Sequence, residues 1–195
     1  MLYIFEVTAT LWSSRDIALV IILSVASFVY TIFVGQLGNM LTGILGLNYF
    51  FVIGHAIIIS LSFLIYQGRR WRFFLQTVLV AFLTLPTFMT GQPFDVLSKW
   101  PSIAGAFFVD LIFNSVYSSF IKRKQFFLWS FLSVFAFFLI APLFAAVNMF
   151  LFYPPQVFTT YISVYFLLFP VTIVELLVGS FLGKQTYTRI NKPIT

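Results

Sequence analysis

The chain has 195 residues, of which 61% are hydrophobic, 21% aromatic and only 8% charged. Soluble domains carry about 25% charged residues, so the composition excludes a soluble protein and predicts an integral membrane protein with no room for a separate catalytic domain. The net charge of +6 does not indicate a nucleic-acid-binding protein, because the cations stand in short clusters beside apolar segments.

The N-terminal third predicts a membrane hairpin. Residues 1–12 lack a basic region and a cleavage site of small residues, so they predict a short interfacial helix and not a standard signal peptide. Asp16 and Arg69 then enclose 52 residues in which His55 is the only acidic or basic side chain. Because one span needs about 20 residues, this segment predicts two spans, at 17–35 and 48–67.

The connection between these two spans, residues 36–48, is rich in glycine and amide side chains and includes Asn39 and Asn48. It is also apolar enough to dip back into the membrane. Irregular backbone exposed to lipid leaves its polar groups unsatisfied, so we expect this segment to pack on protein or to line a cavity.

The remaining sequence predicts four further spans, each long enough to cross a hydrocarbon core of about 30 Å as a helix. Pro86 is expected to kink the third span near its outer end. Small residues at 102–106 would let another helix approach the fourth span closely. The predicted spans are 73–91, 99–121, 125–152 and 157–183.

The positions of the basic residues predict the orientation. Nine of the eleven Lys and Arg residues lie at 69–72, 122–124 and 184–192, after the second, fourth and sixth predicted spans. The outer loops hold only Lys99. Cationic loops stay in the cytoplasm. We therefore expect a single membrane domain, an all-α bundle of six transmembrane helices with cytoplasmic N- and C-termini, in the cell membrane.

Asp110 and Glu175 are the two acidic residues inside the predicted spans. A carboxylate at the centre of a membrane helix costs about 2.5–3.5 kcal/mol on insertion scales. In a functional interpretation these residues bind a substrate, hold a proton or pair with a buried partner. In the structural alternative they bond to Ser, Asn or Tyr neighbours and fix helix packing.

His55, in the outer half of the second predicted span, has a similar pair of interpretations: it contacts a ligand, or a neighbouring helix satisfies it. With no second His and no Cys in the chain, we expect no metal site and no cofactor. The sequence also lacks the motifs of metalloproteases and serine hydrolases, so we do not expect an enzyme. Gly179 and Gly183 form a spacing that is typical of closely packed membrane helices.

Three local patterns carry a resemblance to a known family. Residues 12–18, Trp-Ser-Ser-Arg-Asp-Ile-Ala, resemble the polar start of its first helix, particularly in the branch associated with thiamine precursors. The small-residue run that ends in Asp110 and Leu111 is similar to its fourth helix, and the segment around Glu175 to its sixth. With the overall layout, the chain resembles the substrate-binding membrane subunits (S components) of energy-coupling factor vitamin transporters.

The resemblance implies that the chain captures a small vitamin-like molecule from outside, with thiamine or a precursor as one candidate. A transmembrane coupling subunit and ATPase subunits would then drive uptake. Two alternatives stay open: a proton-coupled secondary carrier that uses Asp110 or Glu175, and a non-transporting membrane assembly subunit. The candidate substrate-binding residues are Asn39, Asn48, His55, Asp110, Asn148 and Tyr161, with Glu175 as a candidate polar or coupling residue.

Overall fold

The computed structural model describes residues 12–35, 52–87 and 93–191. These residues form helices and no strand, which confirms the predicted all-α class. The helices are α1 Ser14–Tyr30, α2 Ile53–Tyr66, α3 Arg72–Thr84, α4 Trp100–Lys122, α5 Phe126–Phe152 and α6 Pro155–Ile190. A π-helical turn, Thr31–Gly35, extends α1, and a 3-10 turn, Val96–Ser98, precedes α4.

Four of the described helices, α1, α4, α5 and α6, are long and apolar enough to cross a membrane. The other two are shorter, with 14 residues in α2 and 13 in α3. At 1.5 Å per residue each covers about 20 Å, less than a hydrocarbon core of about 30 Å. The described residues thus support a membrane protein with four candidate spans. The predicted six-span count and the cytoplasmic position of the termini stay predictions.

The end of α3 corrects one prediction. We expected Pro86 to kink a span that continues to residue 91, but α3 ends at Thr84 and Leu85 is its C-cap. Pro86 has no N–H to continue the helical hydrogen bonds, and the carbonyl of Phe82 accepts instead from the N–H of Leu85, three residues on, at 3.2 Å. Pro86 therefore terminates this helix.

Helices that follow one another in the chain run in opposite directions, so α1, α3 and α5 point one way and α2, α4 and α6 the other. The Trp100 Nε1–H donates to Asn148, whereas the Trp129 Nε1–H donates to the carbonyl of Phe113, which makes α4 and α5 antiparallel. The start of α1 and the end of α6 consequently lie at the same end of the bundle. We call it the basic end, because it carries Arg15, Arg69, Arg70, the cations at 122–124, Lys184 and Arg189.

The short helix α2 lies at the centre and packs against α1, α3, α5 and α6. Aromatic rings fill the core around it: Phe63 of α2 contacts Phe73 of α3, and the fully buried Trp129 of α5. Glycine permits the closest approach, since a Cβ at Gly179 would lie 2.5 Å from Ala56 and 2.7 Å from the carbonyl oxygen of Ile53. The close packing that the glycine spacing predicts is therefore confirmed, and its partner is α2.

Candidate functional site

The helix α2 begins in the interior of the bundle. Its first residues lie beside Glu175, which stands about 30 Å from the start of α6 and about 22 Å from its end at the usual helical rise. The first backbone N–H groups of a helix have no partner within the helix. The N-cap residue, Val52, has no side chain that can accept from them. Acceptors must therefore come from other helices.

Two neighbouring helices supply these acceptors. The N–H of Val52 donates to Glu175 Oε2 at 2.8 Å, and the N–H of Gly54 donates to the Tyr30 hydroxyl at 3.2 Å. Glu175 is on α6 and Tyr30 on α1, so the two helices on either side of α2 both cap it. A carboxylate at this position also interacts favourably with the positive end of the helix dipole.

His55 lies one turn inside the same helix start. Its Nε2 is 2.9 Å from Thr31 Oγ1, and its ring stands edge-on to Tyr30 with the centroids 4.8 Å apart. The Thr31 hydroxyl also donates to the carbonyl of Ser27 at 2.8 Å, so it links the His55 ring to the backbone of α1. We call Tyr30, Thr31, His55 and Glu175 the α2 cluster. It places a carboxylate, a phenol, a hydroxyl and an imidazole together at the start of α2, beside the end of α1 and the middle of α6.

The structure thus brings together two of the residues predicted from sequence, His55 and Glu175, and adds Tyr30 and Thr31, which the sequence reasoning missed. One signal was present in the sequence. Position 52, the N-cap, holds none of the residues that usually cap a helix (Ser, Thr, Asp or Asn), which indicates that a more distant side chain accepts from the first N–H groups. Nothing in the sequence, however, says which helix supplies the missing acceptor.

Asp110 accepts from the first N–H groups of α3, as Glu175 accepts from those of α2. Its carboxylate is fully buried and accepts from the N–H of Trp71 at 2.8 Å and from the N–H of Phe74 at 2.9 Å. The Asn114 amide donates to it at 2.6 Å. Trp71 is the N-cap of α3, has a φ of 71° and makes no side-chain cap of its own. Asp110 on α4 therefore caps α3 across the helix interface.

Asp16 is buried like Asp110, and it corrects the prediction that Asp110 and Glu175 are the only acidic residues within spans. The first span was predicted from residue 17, but α1 starts at Ser14 because Ser13 and Asp16 form a capping box. Asp16 is 2% exposed and pairs with both Arg69 and Arg72. The Ser-x-x-Asp spacing was visible in the sequence and would have moved the boundary.

Asn148 and Tyr161 lie elsewhere, at the contacts of α5 with α4 and α6. Asn148 Oδ1 accepts from Trp100 at 2.9 Å, and the Tyr161 hydroxyl donates to the carbonyl of Pro142 at 3.3 Å. A proline has no N–H, so the carbonyl four residues before Pro142, that of Phe138, lacks its helical donor. The hydroxyl of Tyr165 donates to that carbonyl at 3.4 Å.

Within the residues that the structure describes, the predicted binding residues occupy separate places: the α2 cluster, the start of α3, and the buried contacts of α5 with α4 and α6. Asn39 and Asn48 lie outside the described residues. The ligand-binding roles of all six stay predictions. Comparisons with protein families, with curated proteins and with solved structures find no match to this chain.

Proposed function

We propose that this chain is a substrate-capture membrane subunit of the energy-coupling factor type, which binds a small vitamin-like molecule at the α2 cluster. The observation that carries the proposal is a helix that starts within an apolar bundle, beside the middle of α6, with its first N–H groups bound by side chains of α1 and α6. In transporters, substrate and ion sites commonly lie near the membrane midplane, where discontinuous helices present their termini. Polar groups at such a depth are costly, so they are found mainly where they serve a site.

The chemistry of the α2 cluster suits a cationic heteroaromatic ligand. A carboxylate has about four lone-pair sites, and the hydrogen bonds from the backbone of Val52 and Ile53 use two of them. Glu175 therefore retains acceptor capacity beside the rings of Tyr30 and His55, and a cation is attracted to both a carboxylate and an aromatic face. Thiamine and its pyrimidine precursor belong to this ligand class. Asn39 and Asn48, which precede α2 in the sequence, complete the proposed set.

The same proposal includes six spans with both termini in the cytoplasm. The alternating helix directions and the collection of cations at the basic end support this orientation. Uptake would then depend on separate partners, a transmembrane coupling subunit and ATPase subunits, as the family resemblance implies.

Mass spectrometry of the purified protein, followed by equilibrium binding of the identified compound, tests the proposal. We expect submicromolar binding of a vitamin-like compound, and a loss of about tenfold in Glu175→Gln, because one charge-assisted contact is worth about 1.4 kcal/mol or more. Asp95→Asn is the matched control, since Asp95 is a carboxylate outside the α2 cluster. A protein that folds and binds no small molecule contradicts the proposal.

A proton-coupled carrier is the second candidate, and the position of Glu175 favours it. This carboxylate joins α6 to the start of α2, so its protonation would weaken a contact between two helices. The carrier predicts uptake by the chain alone in liposomes under a pH gradient. The capture subunit predicts binding without uptake until partner subunits are added. A membrane assembly subunit predicts a stable protein partner and no ligand.

A further inference from the structure

Among the residues that the structure describes, no helix covers the side of α2 that lies between α1 and α6. Both helices pack against α2, but they make at most a minor contact with each other in the described part of the chain. Ile58, Leu61 and Ile65 have helical spacing and form an aliphatic stripe on this side of α2, and all three are partly exposed. The three helices therefore form a lengthwise groove with an apolar floor, which we call the α1–α6 groove.

The groove meets a cleft of about 340 Å³ at the basic end. The apolar lining includes Leu19 and Ile65, and the polar lining comes from Arg15, Gln67, Arg69, Tyr187 and Asn191. Ile65 thus belongs both to the floor of the groove and to the cleft, so the two are continuous.

The charge around this cleft is positive. Arg69 is held in place by Asp16, and Asp16 is shared with a second cation, Arg72, so one carboxylate faces two guanidinium groups. Arg15 adds an exposed guanidinium on the first turn of α1. Gln67 donates to the Tyr187 hydroxyl at 2.9 Å, which leaves the Tyr187 O–H to donate to an acceptor in the cleft.

From this juxtaposition we infer that an anionic phospholipid binds in the α1–α6 groove, with its phosphate at Arg15 and Tyr187 and one acyl chain along Leu61 and Ile65. Basic pockets between transmembrane helices bind anionic headgroups in this way. A free phosphate would occupy only the polar part and leave the aliphatic stripe unused, whereas a lipid uses both. The inference does not depend on the substrate proposed for the α2 cluster.

Native mass spectrometry of the detergent-purified chain, titrated with dioleoyl phosphatidylglycerol or dioleoyl phosphatidylcholine, tests it. We expect preferential retention of phosphatidylglycerol. Arg15→Gln should weaken its binding by about fivefold, which corresponds to one cation near a headgroup. Arg123→Gln is the matched control, because it removes one exposed cation from the same end outside the cleft. Equal losses in the two variants would show general surface attraction and overturn the inference.

Two further measurements separate the lipid from other sources of binding. Leu61→Trp fills the floor of the groove without changing charge, so it should lower retention of phosphatidylglycerol, and unchanged retention would rule out an acyl chain there. Glycerol 3-phosphate at millimolar concentration should not displace the lipid; full displacement would indicate a site for a small anion.

If Arg15→Gln lowers the thermal stability, Tyr187→Phe provides the same test of the phosphate contact.

Discussion

The two short helices and the three long helices that follow them are held by different kinds of contact. The helix α2 starts beside the middle of α6, and α3 starts at the basic end beside the buried Asp110 of α4; carboxylates from α6 and α4 bind their first N–H groups. By contrast, α5 packs against α4 and α6 mainly through rings and small residues, such as Gly105 on Ala141 and Trp100 on Phe144, with single side-chain hydrogen bonds such as that of Trp100 to Asn148. A helix that starts in water has its first N–H groups hydrated, whereas one that starts in an apolar interior needs acceptors from the protein.

This difference changes how an acidic residue in a membrane protein is interpreted. Asp16, Asp110 and Glu175 are buried or half-buried, and each binds the α2–α3 region. The structure therefore gives all three a structural task that does not need a ligand. Glu175 differs from Asp110 in that it is partly exposed, whereas the Asp110 carboxylate accepts from two backbone N–H groups and an amide. For this reason the proposed ligand site is placed at Glu175.

The largest effect is expected for Asp110→Ala, which removes the fully buried carboxylate that accepts from the N–H groups of Trp71 and Phe74. We expect the free energy of unfolding to fall by about 3–5 kcal/mol, since each buried unsatisfied group costs about 1–3 kcal/mol. Steric trapping in bicelles measures it. The control is Asp95→Ala, because Asp95 caps the exposed 3-10 turn through Leu97 and should cost only about 0.5–1 kcal/mol. Equal losses in both variants would break the comparison between interior and surface caps.

Glu175→Ala should have the next largest effect, about 2–3 kcal/mol, because it removes one charged acceptor from a half-buried helix start. Hydrogen exchange of the amides at 52–55 should rise, while exchange at the start of α3 should stay unchanged. Glu175→Gln keeps an acceptor and should recover part of the loss. If exchange rises equally at both helix starts, the two caps do not act locally and the comparison fails.

The long helices could be predicted closely from sequence. The segments 99–121 and 125–152 correspond to Trp100–Lys122 and Phe126–Phe152, because charges or a proline pair mark their ends. The last span was predicted at 157–183 and the helix runs to Ile190, since a polar helix that leaves the membrane has no hydropathy signal. Length and hydropathy are properties of one segment, so one sequence is enough to predict them.

The short helices and the site could not be predicted in the same way. The start of α2 depends on Glu175, which is 123 positions away in the chain, and the start of α3 depends on Asp110, 39 positions from Trp71. The partners are backbone N–H groups, which have no residue type to recognise. His55 and Glu175 could be chosen as polar residues in apolar segments, but their meeting at one helix start could not.

Overpacking a long-helix contact should cost less than removing an interior cap. A Cβ at Gly105 would lie 2.8 Å from the Cβ of Ala141, so Gly105→Ala forces α4 and α5 apart. We expect a loss of about 1–2 kcal/mol in the free energy of unfolding. Ala141→Gly should recover much of it in the double variant, because it removes the clashing atom. If Gly105→Ala alone exceeds the loss in Asp110→Ala, then packing and not capping dominates the stability of the bundle.

The smallest effect is expected for Tyr165→Phe, which tests whether a hydrogen bond or ring packing holds α6 against α5. Pro142 removes the donor for the carbonyl of Phe138, and the Tyr165 hydroxyl takes its place at 3.4 Å. Tyr165→Phe should therefore cost about 0.6 kcal/mol, the mean for a hydrogen bond between membrane helices. In a Pro142→Ala background the restored N–H donates to Phe138 in the ordinary helical pattern, so the same substitution should cost almost nothing. A double-mutant cycle measures the difference. Equal costs in both backgrounds would show that Tyr165 contributes through ring packing, and that interior capping is confined to the starts of α2 and α3.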